Sequence, residues 1–385
     1  MRLYDLLDAG ASEHPDREFA LQRGRRLTYG DAARATRRLA QGLIERGLAA
    51  GDRVAVLSRN SIDVVLLYFA AARAGVVPVP LNYRLAPPEW RYIVDDARAR
   101  VLFAAGDYVD ARGAQPRGGA TLPRRRRAVH LRLHLPGGSL VILDQFNPAE
   151  VVRLLDEERI GFAVLVPTML QACLAVPDAA QRRYAQLRLI YYGSSPIAEV
   201  TLRRAFAAFR CGFVQSYGMT EAAQSLTFLA PADHERALAG NPSLLLAAGR
   251  PAAETEIRIV DAADALVPDG IIGEVVARGP QLMRGYWNLP EATAETLRGG
   301  WLHTGDAGVM DSQGYLYIQD RVKDMIVSGG ENIYPREVEE ILSKHPAVLE
   351  AAVIGIPDER WGETVKAVVA LRWVGFLAFR ARSSR

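Results

Sequence analysis

The sequence predicts an α/β protein: a large N-terminal domain of parallel sheets flanked by helices, with a small β-rich subdomain, then a small, truncated α+β C-terminal domain. Three observations carry this expectation. Apolar runs of strand length alternate with amphipathic helices up to residue 217. From residue 254 short strands follow one another between turn residues. Near Asp320 a new unit opens, with a helix that starts on Pro335.

In chain order, residues 28–48 predict a capped helix, opened by Thr28 and Asp31 and closed by Gly47, with Ala32, Ala35, Leu39 and Leu43 on one face. VAVLS (54–58) is a strand, 61–75 a buried helix ending in Gly75, and VVPVPL (76–81) a second strand. The alternation resumes with LVIL (140–143), a helix over 148–158, strand 162–166, helix 168–174, strand 187–192, helix 196–209 and strand 212–217. ETEIRIV (254–260) and GEVVARG (273–279) begin the β-rich part. In the last unit, acids fill the early turns of the Pro335 helix, and Lys344 and His345 close it, as the helix dipole favours.

Composition narrows the function. A net charge of +3 over 385 residues argues for no polyanionic partner and no nucleic acid. Cys173 and Cys211 stand far apart without a CxxC pair, which implies a reducing, cytoplasmic setting. Asp5, Asp8 and Glu13 rule out a signal peptide, and the longest apolar stretch, 64–81, is broken by Arg73, Pro78 and Pro80, so no transmembrane segment is expected. Of the 47 basic residues only Lys323, Lys344 and Lys366 are lysine. Between Asp110 and Asp144 there is no acid, while arginines accumulate, above all in PRRRRAVHLRLH (123–134).

Three stretches carry chemistry. SYGMTEAA (216–223) offers a ring on which a purine can stack (Tyr217), a flexible glycine (Gly218), a hydroxyl for phosphate (Thr220) and a carboxylate for Mg²⁺ (Glu221). In WLHTGDAG (301–308), Asp306 in a tight turn between Gly305 and Gly308 can accept from two vicinal hydroxyls. In DRVKDMIVSGGENIYP (320–335), Arg321 suits a ribose or its phosphate, and Gly329-Gly330 lets backbone approach a ligand. Each stretch alone also reads as ordinary structure: a strand-end turn, an aspartate satisfying its own backbone, a salt-bridged linker.

With YGSSP (192–196) and GEVVARGPQLMRGYWNLPEAT (273–293) these stretches, in this order, resemble the AMP-forming adenylating enzymes, the acyl-CoA synthetases in particular. The resemblance covers about nine-tenths of the chain. It implies a ligase that joins a carboxylic acid to ATP, releases pyrophosphate, and passes the acyl group from AMP to coenzyme A. It also implies that Gly193 and Ser194 lie along the adenine, Tyr217 stacks on it, Gly218 counts among the nucleotide-binding positions, Thr220 touches the α-phosphate and Glu221 binds Mg²⁺. Asp306 and Arg321 would hold the ribose, Lys323 would be the hinge of the C-terminal domain, and Gly329 and Gly330 would face the pantetheine channel. A medium or long fatty acid is the favoured substrate, an aryl acid the runner-up.

Two departures stand against the pattern. The lysine-bearing phosphate loop is missing from the interval before LVIL, and the family's C-terminal lysine segment has no counterpart. The sequence therefore divides into 1–107, an Arg-rich segment 108–137, 138–320, a partial C-terminal domain 321–371 and a tail 372–385. The Arg-rich segment and the tail read as out-of-frame or deletion scars in a GC-rich gene. A catalytically dead relic that binds AMP, and a polyanion binder acting through 123–134, are the alternatives.

Overall fold

The computed structural model describes residues 2–108, 138–195, 197–321, 324–328, 331–358 and 361–371. The Arg-rich run, the tail, Lys323, Gly329 and Gly330 lie outside the described residues. The chain forms two compact units, 1–147 and 148–385.

In the first unit the helix Tyr29–Glu45 starts where the Thr28 hydroxyl accepts the Asp31 amide at 3.1 Å. Tyr29, Gly30, Ala32, Ala33, Thr36, Ala40 and Leu43 are its buried residues, while Ala35 and Leu39 are only half-buried. The helix Ile62–Ala74 is capped by Ser61 and ends on Gly75, whose φ of 69° is the left-handed conformation glycine adopts without strain. It connects Arg53–Leu57 to Val77–Leu81, and with Val101–Ala104 these make a three-stranded parallel sheet in which 53–57 is central. A second small sheet pairs Glu18–Gln22 with Arg25–Thr28 and Leu140–Val141. The N-terminal stretch forms a helix, Leu3–Glu13, that the sequence pattern does not announce, because its buried positions reduce to Leu7 and Gly10.

The second unit holds the remaining alternation. Phe162–Val164, Leu189–Gly193 and Gly212–Tyr217 run parallel, and Thr227–Leu229 and Arg250–Pro251 extend the sheet antiparallel. The helices Pro167–Leu174 and Glu199–Phe209 belong to this alternation. Ile190, Phe213, Leu170, Leu202 and Phe209 are fully buried, and each such side chain contributes about 1.5–3 kcal/mol by leaving water.

Four antiparallel strands follow: Glu256–Val260, Gly273–Arg278, Leu302–Met310 and Leu316–Arg321. The last sheet joins Ile326–Ser328, Glu331–Ile333, Val348–Asp358 and Gly362–Leu371, with the helix Pro335–Ser343 starting on its proline as expected. The strands thus divide among several small sheets, and the α/β class holds.

Candidate active site

Parallel pairing places Gly193 opposite Ser216, so the C-terminal ends of two adjacent strands deliver Ser194 and Tyr217 to one edge. Ligands in open α/β sheets bind at that edge. The close approach demands glycine at position 193, where a Cβ would lie 2.3 Å from the Ser216 carbonyl oxygen. At Gly218 the constraint is similar. The chain folds straight back, Leu226 N–H donating to Tyr217 O at 2.8 Å, and a Cβ on Gly218 would lie 2.2 Å from Gln224 O.

The antiparallel meander adds the second half. Asp306 on 302–310 is paired in register with Arg321 on 316–321, and Arg321 Nε lies 3.6 Å from Asp306 Oδ1. Here one expectation is corrected: Asp306 sits within a nine-residue strand, not in a tight turn. The turn-like pattern arises because a register irregularity between residues 307 and 308 interrupts the ladder, which lets glycines stand inside a strand.

Ser194, Tyr217, Gly218, Asp306 and Arg321 share one cleft of about 740 Å³. That volume suits a nucleotide-sized ligand. The Tyr217 hydroxyl donates to Asp306 Oδ2 at 2.7 Å. Burial, together with this carboxylate, holds the phenol well above its ordinary pKa, so it stays a donor. Burial also raises the Asp306 carboxyl, against the Tyr217 hydrogen bond and the Arg321 charge, which favour its ionised form. Arg321 keeps 59% of its side chain exposed, so its fork is open to an anion.

Gly193, Thr220 and Glu221 are not in the lining of the cleft. Thr220 begins the short 3₁₀ turn Thr220–Ala222 and is exposed. Glu221 Oε1 accepts the Tyr286 hydroxyl at 2.8 Å, and its carbonyl accepts Met283 N–H at 2.7 Å. A single carboxylate beside a hydroxyl fits Mg²⁺, which keeps several waters and takes its other ligands from phosphate. Sequence reasoning missed the lining residues Gln215, Asp320 and Arg336, and the hydrogen bond from Tyr286 to Glu221. The Arg336 amide donates to Asp320 Oδ2 at 3.2 Å, its guanidinium donates to Ile318 O, and burial lowers its pKa. No local signal marks it, since an arginine after a helix-opening proline looks like solvated surface.

A ring, a carboxylate and a guanidinium converging on a nucleotide-sized cleft at the end of parallel strands define a nucleotide-binding α/β protein. The chain belongs to the AMP-binding enzyme family, which it matches over residues 7–134 and 126–287, and it matches the AMP-binding enzyme C-terminal domain over residues 337–378. The two longer matches meet at 126–134, inside the Arg-rich run, and the last one reaches into the tail.

The medium/long-chain-fatty-acid–CoA ligase FadD8 of Mycobacterium tuberculosis is 46% identical over 238 residues. Those residues are 62% of this chain and 41% of that protein, so the match spans well under half of the relative's length. The fatty acid–[acyl-carrier-protein] ligase ScoC of Streptomyces coeruleorubidus is 33% identical over 93% of this chain and 84% of its own. Among solved structures, the amide bond synthetase McbA of Marinactinospora thermotolerans superposes with a TM-score of 0.84 at 27% identity, covering 97% of this chain and 90% of that one.

Proposed function

We propose that the protein is an AMP-forming acyl-CoA ligase whose substrates are a carboxylic acid, ATP and coenzyme A, the acid being a medium or long fatty acid. One observation carries the reading: Tyr217, Asp306 and Arg321, which converge on the ring and the sugar of one nucleotide in the sequence-based assignment, line a single cleft. Tyr217 offers its ring to the base, Asp306 accepts from the ribose hydroxyls, and Arg321 balances the carboxylate. Glu221 would hold Mg²⁺, which supplies charge neutralisation at the phosphates when bound. Ligases of fatty acids among the relatives support the choice of acid.

A second reading is an AMP binder without turnover. It is favoured by the sequence, which holds no lysine before Lys323. Losing a cation from the phosphate site removes transition-state stabilisation worth about two to three powers of ten in rate.

Acid-dependent exchange of pyrophosphate into ATP, measured across fatty and aryl acids, tests both. Exchange that is highest with fatty acids is the expected result. Calorimetric AMP binding without any exchange would leave the second reading standing, and no AMP binding would overturn both.

A further inference from the structure

Glu274, on the strand Gly273–Arg278, is outside the lining of the cleft, yet it touches the backbone that carries Asp306. The pairing of this strand with 302–310 is irregular between Glu274 and Val276, so the ladder is broken opposite Gly305. A side chain takes the ladder's place: Glu274 Oε1 accepts the Gly305 N–H at 3.1 Å. Gly305 has a φ of +70°, a left-handed conformation that glycine adopts without strain, and the bond from Glu274 holds its amide there.

One residue before Gly305, Thr304 completes the grip. Its hydroxyl donates to Val275 O at 2.7 Å and accepts the Asp306 N–H at 3.1 Å. The other Glu274 oxygen lies 2.9 Å from His303 Nδ1 and 3.2 Å from Arg298 Nη2. Arg298 in turn holds Asp264 through two 3.0 Å bonds. Asp264, Glu274 and His303 are close enough to hold a cation, but the Arg298 guanidinium already bridges both carboxylates. The cluster is braced from within.

We propose that Glu274, braced by Arg298 and His303, is a positioning residue for Asp306. It fixes the irregular strand so that the Asp306 carboxylate meets the hydroxyls of a bound ribose. This rests on the reading of the cleft as an AMP site and adds the means by which ribose is selected over deoxyribose. Tyr217 reaches the cleft from a different strand and meets Asp306 through its hydroxyl, so loss of Glu274 should disturb the ribose contacts more than the stacking of the base.

Calorimetric titration of the full chain with AMP and with 2′-deoxy-AMP tests it. The native chain is expected to prefer AMP by about tenfold or more, the worth of a hydrogen bond to a charged group. In Glu274→Ala the ratio should fall toward one, AMP losing more affinity than 2′-deoxy-AMP, which has only its 3′-hydroxyl to lose from Asp306. Glu274→Gln keeps an oxygen for the Gly305 amide and should restore most of the preference.

An unchanged ratio in a folded Glu274→Ala chain, or equal weakening of both nucleotides, would overturn the proposal. If the alanine variant does not fold, Arg298→Gln removes the brace alone; a ratio lowered by about threefold or more supports the proposal and an unchanged one overturns it. A native chain that binds neither nucleotide overturns the underlying AMP reading, and this inference with it.

Discussion

The Tyr217 hydroxyl donates a 2.7 Å hydrogen bond to Asp306 Oδ2, across 89 residues of chain. The bond ties the end of a parallel strand to the middle of an antiparallel one, so the two principal ligand groups of the cleft are set relative to each other before a ligand arrives. Preorganisation of this kind avoids an ordering cost on binding.

Tyr217→Phe should therefore weaken AMP while keeping the ring. The lost hydrogen bond to a charged acceptor is worth about tenfold in affinity. Tyr217→Ala should lose a further ~1–3 kcal/mol with the stacking surface. Isothermal calorimetry separates the two steps, and equal affinities for the Phe and Ala variants would count against stacking on this ring.

Binding should also fall on acidification. Because burial raises the Asp306 pKa, this carboxyl takes up its proton at a higher pH than an ordinary aspartate, and the protonated form is a poorer acceptor for ribose hydroxyls. AMP affinity should drop as pH falls, the loss beginning at a higher pH than an ordinary aspartate would give, and Asp306→Asn should abolish the dependence. In Tyr217→Phe the drop should begin at higher pH, since the missing bond favoured ionisation. The same raised pKa means that Asp306 favours folding when protonated and that this contribution is lost as pH rises through the folded-state value. Asp306→Asn should thus raise Tm at neutral pH relative to native and lose that gain at low pH.

His234 gives a second pH dependence, of opposite sign and unconnected with ligand. Its ring is fully buried against Tyr192, whose hydroxyl lies 2.9 Å from Nε2, and burial lowers its pKa. The stability it contributes is fully present above the unfolded value of about 6.5 and is lost as pH falls from there toward the lowered folded value. Thermal unfolding across that range should show the loss. A chain carrying His234→Gln should show a smaller one.

Gly218→Ala should be destabilising, because the added methyl would lie 2.2 Å from the Gln224 carbonyl oxygen, which is backbone and cannot turn aside. Overpacking of this kind costs about 1–3 kcal/mol. Gly106→Ala, where nothing lies within 4 Å of the added atom, should stay within about 0.5 kcal/mol of native and serves as the control in the same denaturant series.

Much of the fold was legible locally. Thr28 before an amphipathic run, Gly75 after a buried one and Pro335 ahead of Glu337 mark helix ends through bonds made within a few residues, so the chain announces them wherever it folds. The strands 53–57, 189–193 and 212–217 are short apolar runs bounded by turns, and they formed close to where those runs lie. The helix 3–13 was silent because two buried positions make no stripe.

The order of motifs from YGSSP to DRVKD was likewise enough to place the chain in its family, since it depends on residue identities alone. Which of those residues meet was decided elsewhere. Asp306 looks like a turn residue in sequence, and only the pairing of 302–310 with both neighbours makes it a strand residue facing Tyr217. Glu274 and Tyr286 lie within the motif 273–293, yet nothing local assigns either a role. Their roles arise from single hydrogen bonds to Gly305 and Glu221, groups remote in sequence, and bonds of that kind exist only once the sheets have packed. The chain alone thus determined its elements and its kinship, because caps and periodicity act over a few residues, whereas the aim of each side chain in the cleft was settled by tertiary packing.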